Sequence, residues 1–279
     1  MDPFLLAFLS ALFSAVASIS AKILLKNIAP QNILSVNFFT MTATLLLFSP
    51  LFYFFEATLF AMIILCGLAL LDTLANYFYF KTFKNNEASV ATPILAVAPI
   101  FTIFFGLVLI NDTTSWNNFF LSILIIFLII FFTADFKNFK KFQTKTLFPA
   151  LSAAILFGLS AIPAKFLLHN LQVINAPTLY MFRSGFIALF SLIIFNFKIQ
   201  DLSQKEYRFL FLRTLFVIGQ WICLYRAMTF INAGVALTIS STAPIFVFFL
   251  SAIFLREKIS WKKFFAAITI LIATFLFDF

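Results

Sequence analysis

Ala98-Pro99-Ile100-Phe101 recurs 145 positions later as Ala243-Pro244-Ile245-Phe246. The match continues without a gap: Ser115-Trp116 becomes Ser260-Trp261, and Phe119-Phe120 becomes Phe264-Phe265. Earlier in each half, Ala21-Lys22-Ile23-Leu24-Leu25-Lys26-Asn27 is echoed by Ala164-Lys165-Phe166-Leu167-Leu168-His169-Asn170. Self-similarity at a fixed offset in an apolar chain is the pattern of a membrane protein built from two matched halves, an arrangement that transporters use.

The 279 residues are 63% hydrophobic and 10% charged, with a mean hydropathy of +1.08. Soluble domains carry about 25% charge, so a water-soluble core is excluded. The apolar residues form runs of roughly 20, the length that crosses a bilayer. The 45 Phe rise together with Ile, Lys and Asn, which marks a compositional bias rather than a Phe-lined site. Met1-Asp2-Pro3 leads straight into an apolar stretch with no basic region before it, so the first segment reads as a span and not as a cleavable signal. Cys66 and Cys223 lie alone in apolar runs, where packing explains them. His169 is the only histidine, so zinc sites and His-based triads have little to build on, and no Gly-x-x-x-x-Gly-Lys run is present. No metal and no cofactor is expected.

Ten spans can be marked, at 3–26, 34–55, 59–80, 88–110, 116–135, 147–168, 177–197, 207–229, 233–255 and 261–277. The connections are short, and most carry turn formers such as Ala29-Pro30-Gln31-Asn32. The longest hydrophilic stretch, 136–146, joins residues 1–140 to residues 141–279. Five spans per half is an odd number, so the second half enters from the opposite face. The expected fold is all-α, ten transmembrane helices in two inverted five-helix repeats, with a site where the halves meet near the midplane.

Charge orients this arrangement. The connections after spans 1, 3, 5, 7 and 9 share one face and hold most of the basic residues: Lys26, Lys81, Lys84, Lys137, Lys140, Lys141, Lys145, Lys198, Lys205, Arg208, Arg256, Lys258, Lys262 and Lys263. Lys22 and Arg213 lie near that face, and Lys165, Arg183 and Arg226 lean toward the other. The opposite face carries both termini with Asp2, Glu56, Asp112 and Asp278. The positive-inside rule makes the basic face cytoplasmic and puts both termini outside. The balance of +9 thus reads as topology; scattered over five connections, it is no nucleic-acid footprint.

Gly158, Lys165, Pro177, Arg183, Ala236, Pro244, Glu257 and Trp261 in the second half, with Lys22, Pro30, Ala91, Pro99, Asp112 and Trp116 in the first, follow an order that resembles the drug/metabolite transporter superfamily in its ten-span EamA-like form. The resemblance covers essentially the whole chain. It implies a multi-pass permease of the bacterial cytoplasmic membrane, neither enzyme nor nucleic-acid binder, acting as monomer or homodimer. The chain departs from the pattern at three places. Asn37 stands where a first-half Arg is expected, Asp112 replaces a Glu, and Ala266 or Ala267 replaces a glycine. Relatives of this kind are usually drawn with both termini in the cytoplasm, the reverse of the charge reading.

Asp72 is the single acid deep in a span. A charge near the bilayer centre costs roughly 2.5–3.5 kcal/mol on insertion scales, so it must face a cavity or a cationic partner. It either lines a substrate cavity, binding an ammonium group or a coupling proton, or pairs with a Lys or Arg from another span. Asn76 and Tyr79 share its helix face at i+4 and i+7. Gln220, Trp221 and Tyr225 occupy the repeat-related eighth span, where aromatic rings either stack on substrate or pack. Pro99 and Pro244 are matched helix breaks that free carbonyls near Leu95 and Ser240, with Thr238, Ser240, Ser241 and Thr242 around the second. Pro163 is a similar candidate near Leu159. The small residues of the first span (Ala7, Ser10, Ala11, Ser14, Ala17, Ser18 and Ala21) suit close packing, and Ser14 and Ser18 are also cavity candidates. Snorkelling accounts for Lys22 and Lys165, with a gating ion pair as the sharper alternative.

These residues imply a secondary transporter for a small amphipathic metabolite, an amino acid or a related cationic or aromatic compound, crossing the membrane by alternating access. A permease for a nucleotide-like or sulfonium metabolite is the alternative. An intramembrane enzyme lacks the buried acids or Ser/Lys pair it needs, and a passive channel has no use for a duplication.

Overall fold

The computed structural model describes residues 1–85, 94–133, 144–195 and 202–254, with 268, 269 and 272. Every element in these segments is helical, apart from one isolated bridge between Phe55 and Ile174. Proline and short polar residues set where helices begin, because a helix start has spare N–H groups to satisfy. α1 (Pro3–Leu24) is capped by the Asp2 carboxylate, which accepts from the Phe4 N–H at 2.8 Å. α2 (Pro30–Phe48) starts on Pro30 and runs into a 3₁₀ turn at Ser49–Leu51. α3 is Leu59–Asn85, α4 is Ala98–Ile110 and α5 is Trp116–Thr133. α6 (Thr144–Lys165) continues through Pro163 and loosens only afterwards, into a π turn at Phe166–Asn170. α7 (Ala176–Ile194) is capped by Asn175, and α8 (Gln204–Met228) by a reciprocal Ser203–Glu206 box. α9 (Ala233–Ser240) is capped by Asn232 and is followed after two residues by α10 (Ala243–Phe254).

Among the described residues, seven helical runs are long and apolar enough to cross a membrane, and Ala98–Ile110 and Trp116–Leu128 are shorter apolar helices. The expected spans therefore meet helices at nearly every described position. The second span is corrected: its helix begins at Pro30, four residues before 34, because Pro30 is itself a good first residue. The ninth, expected as one run over 233–255, is two helices. The tenth span beyond 268, 269 and 272, the linker up to 143, and Ala91, Glu257, Trp261 and Ala266 lie outside the described residues.

Packing follows a two-fold logic. α1 lies mainly along α8, and α6 mainly along α3. α2 pairs with α7, α4 packs on α6, and α9 and α10 pack on α1. Each contact thus has a counterpart in which the halves exchange roles. The small stripe of α1 does the packing expected of it: Ala7, Ser10, Ala11, Ala17, Ser18 and Ala21 are all buried. Two glycines allow further close crossings. A Cβ on Gly158 would come within 2.6 Å of Phe101 Cβ and 2.8 Å of the Ala98 carbonyl, and one on Gly234 within 2.3 Å of Ile103 Cγ1. Both crossings press on α4 just after Pro99.

The repeat-related lysines both reach backbone carbonyls. Lys22 Nζ donates to the Phe83 carbonyl at 2.8 Å, and Lys165 Nζ donates to those of Met228 at 2.7 Å and Ile231 at 2.9 Å. Phe83 and Met228 are 145 positions apart. Each lysine therefore satisfies carbonyls at the C-terminal end of a long helix, where cations are favoured.

Candidate functional site

The two prolines of the repeated tetrapeptide stand at the same kind of place. Ala96-Val97 is a turn before α4, with Pro99 at its second position, and Ser241-Thr242 is a turn before α10, with Pro244 at its second position. A proline has no N–H to return to the preceding turn, so a helix passing it must break or kink. At the second break the Ser241 N–H turns back to Leu237 at 2.8 Å and Thr238 at 3.1 Å. Thr238 and Thr242 hydroxyls donate to their own helix backbone, at Gly234 and Ile239, each at 2.8 Å. Ser240 reaches across to Ser10 of α1 at 2.9 Å.

Between the breaks lies a cavity of about 140 Å³, bounded by α1, α3 and α8. Ser14, Ser18, Asn76, Tyr79, Gln220, Trp221, Ser241 and Pro244 are on its wall. The structure thus brings together most of the candidate residues, which come from four separate segments. Asp72, Tyr225, Thr238 and Pro99 are not on that wall: Asp72, Tyr225 and Thr238 are buried between helices, and Pro99 lies inside the α4 contact. The cavity is mostly apolar, with aromatic faces from Tyr79, Phe83, Phe157 and Trp221. The Ser18 and Tyr79 hydroxyls are 3.2 Å apart, which joins α1 to α3 at its edge.

Asp72 meets a cationic partner from another helix. It is fully buried, and its Oδ2 accepts from Arg183 Nε of α7, itself fully buried. Arg183 is therefore not a residue of the outer face. Its terminal nitrogens have no hydrogen-bond acceptor among the described residues and lie in an aromatic box: the guanidinium carbon is 3.7 Å from the Trp221 ring centroid and 5.6 Å from those of Tyr180 and Tyr225. Rings placed over a cation stabilise it through their quadrupole, more strongly when water is excluded. Trp221 has two roles at once, one surface on the cavity and one on the ion pair.

Arg213 is a charged cavity-wall residue that sequence reasoning misses. Its sequence places it near the basic face, yet it is 3% exposed and lies on the cavity wall. Its Nε donates to Asn37 Oδ1 at 2.9 Å, and its Nη1 donates to the Ala17 carbonyl. Asn37, at the position where a first-half Arg is expected, is thus the partner of an arginine from the other half. The helix begins at Gln204, which carries Arg213 nine residues, about 13 Å, inward from its start.

Asp112 also links the halves. Its Oδ2 accepts from the Ala233 N–H at 2.9 Å, and its carbonyl accepts from Asn232 at 2.6 Å, so an acid sits at the start of α9. His169 is exposed, with Nδ1 2.9 Å from the Thr229 carbonyl. Among the described residues no cluster of His, Cys, Asp or Glu could hold a metal ion.

Comparison with known proteins agrees with this architecture. A solved crystal structure of a protein 12% identical in sequence superposes with a TM-score of 0.74, covering 98% of this chain and 94% of the other, a likeness of fold alone. A relative from Archaeoglobus fulgidus, named only as an uncharacterized transporter, is 25% identical over 201 residues, which are 71% of this chain and 69% of the relative. The model of the EamA-like transporter family matches residues 3–134 and residues 144–277. The apolar helices, the cavity between two proline breaks and this match across both halves have one reading: the chain is a multi-pass integral membrane protein and belongs to the EamA-like transporter family.

Proposed function

We propose that the protein is a secondary transporter that moves a small amphipathic metabolite of the amino-acid kind across the bacterial cytoplasmic membrane. Two inverted five-helix repeats, residues 1–140 and 141–279, rock about a site at their interface, exposing it alternately to each side. The observation that carries this reading is the cavity itself, bounded by both proline breaks and by helices of both halves. The exchange of packing roles between the halves supports the inverted symmetry, as do the two lysines holding carbonyls 145 positions apart. Aromatic walls suit an apolar side chain, and hydroxyl and amide groups of Ser14, Ser18, Asn76 and Gln220 suit the polar end. Asp72 is not the docking point for an ammonium group in this reading, because its charge is already matched by Arg183. Transport is driven by substrate exchange or an ion gradient, and the basic face is cytoplasmic.

Reconstituted vesicles test the proposal. Uptake of labelled amino acids or aromatic monocarboxylates should saturate and should accelerate when the vesicles are preloaded with unlabelled substrate. A linear flux that no compound competes would mark a channel and remove alternating access.

A further inference from the structure

Two buried arginines flank the cavity region, and they are not equivalent. Arg183 has a carboxylate partner. Arg213 has none among the described residues: its hydrogen bonds go to a neutral amide and a backbone carbonyl, and its guanidinium carbon lies 5.0 Å from the Phe80 ring centroid. Dipoles and rings lower the cost of burying a cation, but they leave its net charge in place. Nη2 carries no hydrogen bond among the described residues, although Arg213 lies on the cavity wall.

The helix that carries Arg213 has an apolar residue where its repeat partner has an acid. In the register that matches Pro99 to Pro244, the second-half counterpart of Asp72 is Val217. Val217 follows Arg213 by one helical turn, on the same face, and also lines the cavity. Where the first half supplies a carboxylate, the second supplies an apolar wall beside an unmatched cation.

We propose that the substrate fills this gap: Arg213 anchors a carboxylate of the transported molecule, whose apolar part lies against the aromatic wall around Trp221. This rests on the transporter reading above and names its substrate class. Arg213 is the one cation on the described cavity wall, and a single carboxylate matches its charge. A substrate that is only cationic finds repulsion here, with no acid among the described lining residues to offset it.

The first test can be run without the natural substrate. Val217→Asp should supply the carboxylate from within. Thermal unfolding of the purified full-length protein should show this substitution tolerated beside Arg213, but lowering the melting temperature by at least about 5 °C more in the Arg213→Gln background, as coupled neighbours do. Equal losses in both backgrounds would show that Arg213 has no unmet charge and would overturn the proposal. In parallel, 3-phenylpropionate and phenylalanine are compared with their primary amides. The acids should raise the melting temperature of the native protein, the amides should not, and the shift should vanish in Arg213→Gln and in Val217→Asp. Equal shifts from acid and amide, including none from either, overturn the anchor even if vesicles show saturable transport of other compounds. Conversely, coupling and acid selectivity without saturable flux would leave the anchor standing and remove the transport mechanism.

Discussion

Arg183 and Arg213 show how one buried charge becomes structure while another remains available for chemistry. Both project from long helices into the protein interior, and both contact aromatic rings. Arg183 is paired with Asp72 and covered by three rings. Arg213 is held by Asn37 and the Ala17 carbonyl at the edge of a cavity, which fixes its position without neutralising it. The halves have related frames, but where the first carries Asp72 the second carries Val217, and only Arg183 has a carboxylate partner among the described residues.

The largest expected effect breaks the first of these. Asp72→Asn strands the Arg183 cation in an apolar interior, and losing one partner of a buried pair costs about 3–5 kcal/mol. Chemical unfolding in micelles should show a loss of that size, with much of it recovered when Arg183→Met removes the stranded charge. A near-neutral Asp72→Asn would return Asp72 to the role of a titrating or substrate-binding group. Next comes Gly158→Ala, whose Cβ meets Phe101 and the Ala98 backbone at the first break and must push the helices apart. Overpacking of this kind costs about 1–3 kcal/mol. It touches neither arginine, so the preference for acids over amides should survive it in any folded fraction. The smallest effect on stability is expected from Asn37→Asp. The new carboxylate keeps the contact with Arg213 Nε, the Thr214 hydroxyl turns to donate to it, and stability should stay within about 1 kcal/mol of the parent, since a buried pair roughly breaks even. Carboxylate binding, read by thermal shift, should nonetheless disappear. If it persists, the charge of Arg213 is not what the cavity offers.

The orientation can be read separately. A fluorescent protein fused after Phe279 should stay dark and alkaline phosphatase there should be active, as the charge bias implies.

Much of the architecture is legible because hydropathy and repetition are written along the chain. The spans follow from apolar length, and the tetrapeptide at 98–101 and 243–246 marks both breaks by chemistry that acts within one helical turn. The site is legible only in part. Asp72 is conspicuous as an acid in an apolar run, but its partner is 111 positions away and no local pattern connects the two. Arg213 is hidden by the opposite problem: a basic residue near one end of a hydrophobic stretch looks like a topology signal until the helix is seen to begin at Gln204 and carry it inward. Trp221 stands out for its mid-span position, yet its contact with Arg183 depends on how α7 and α8 pack.

The most direct measurement sets the two arginines side by side. Arg183→Gln and Arg213→Gln are purified, melted and reconstituted for counterflow of an aromatic monocarboxylate. The account predicts that Arg183→Gln melts far below the parent, while Arg213→Gln melts close to it and no longer carries the acid. Equal losses of stability in the two variants, or undiminished counterflow in Arg213→Gln, would contradict it.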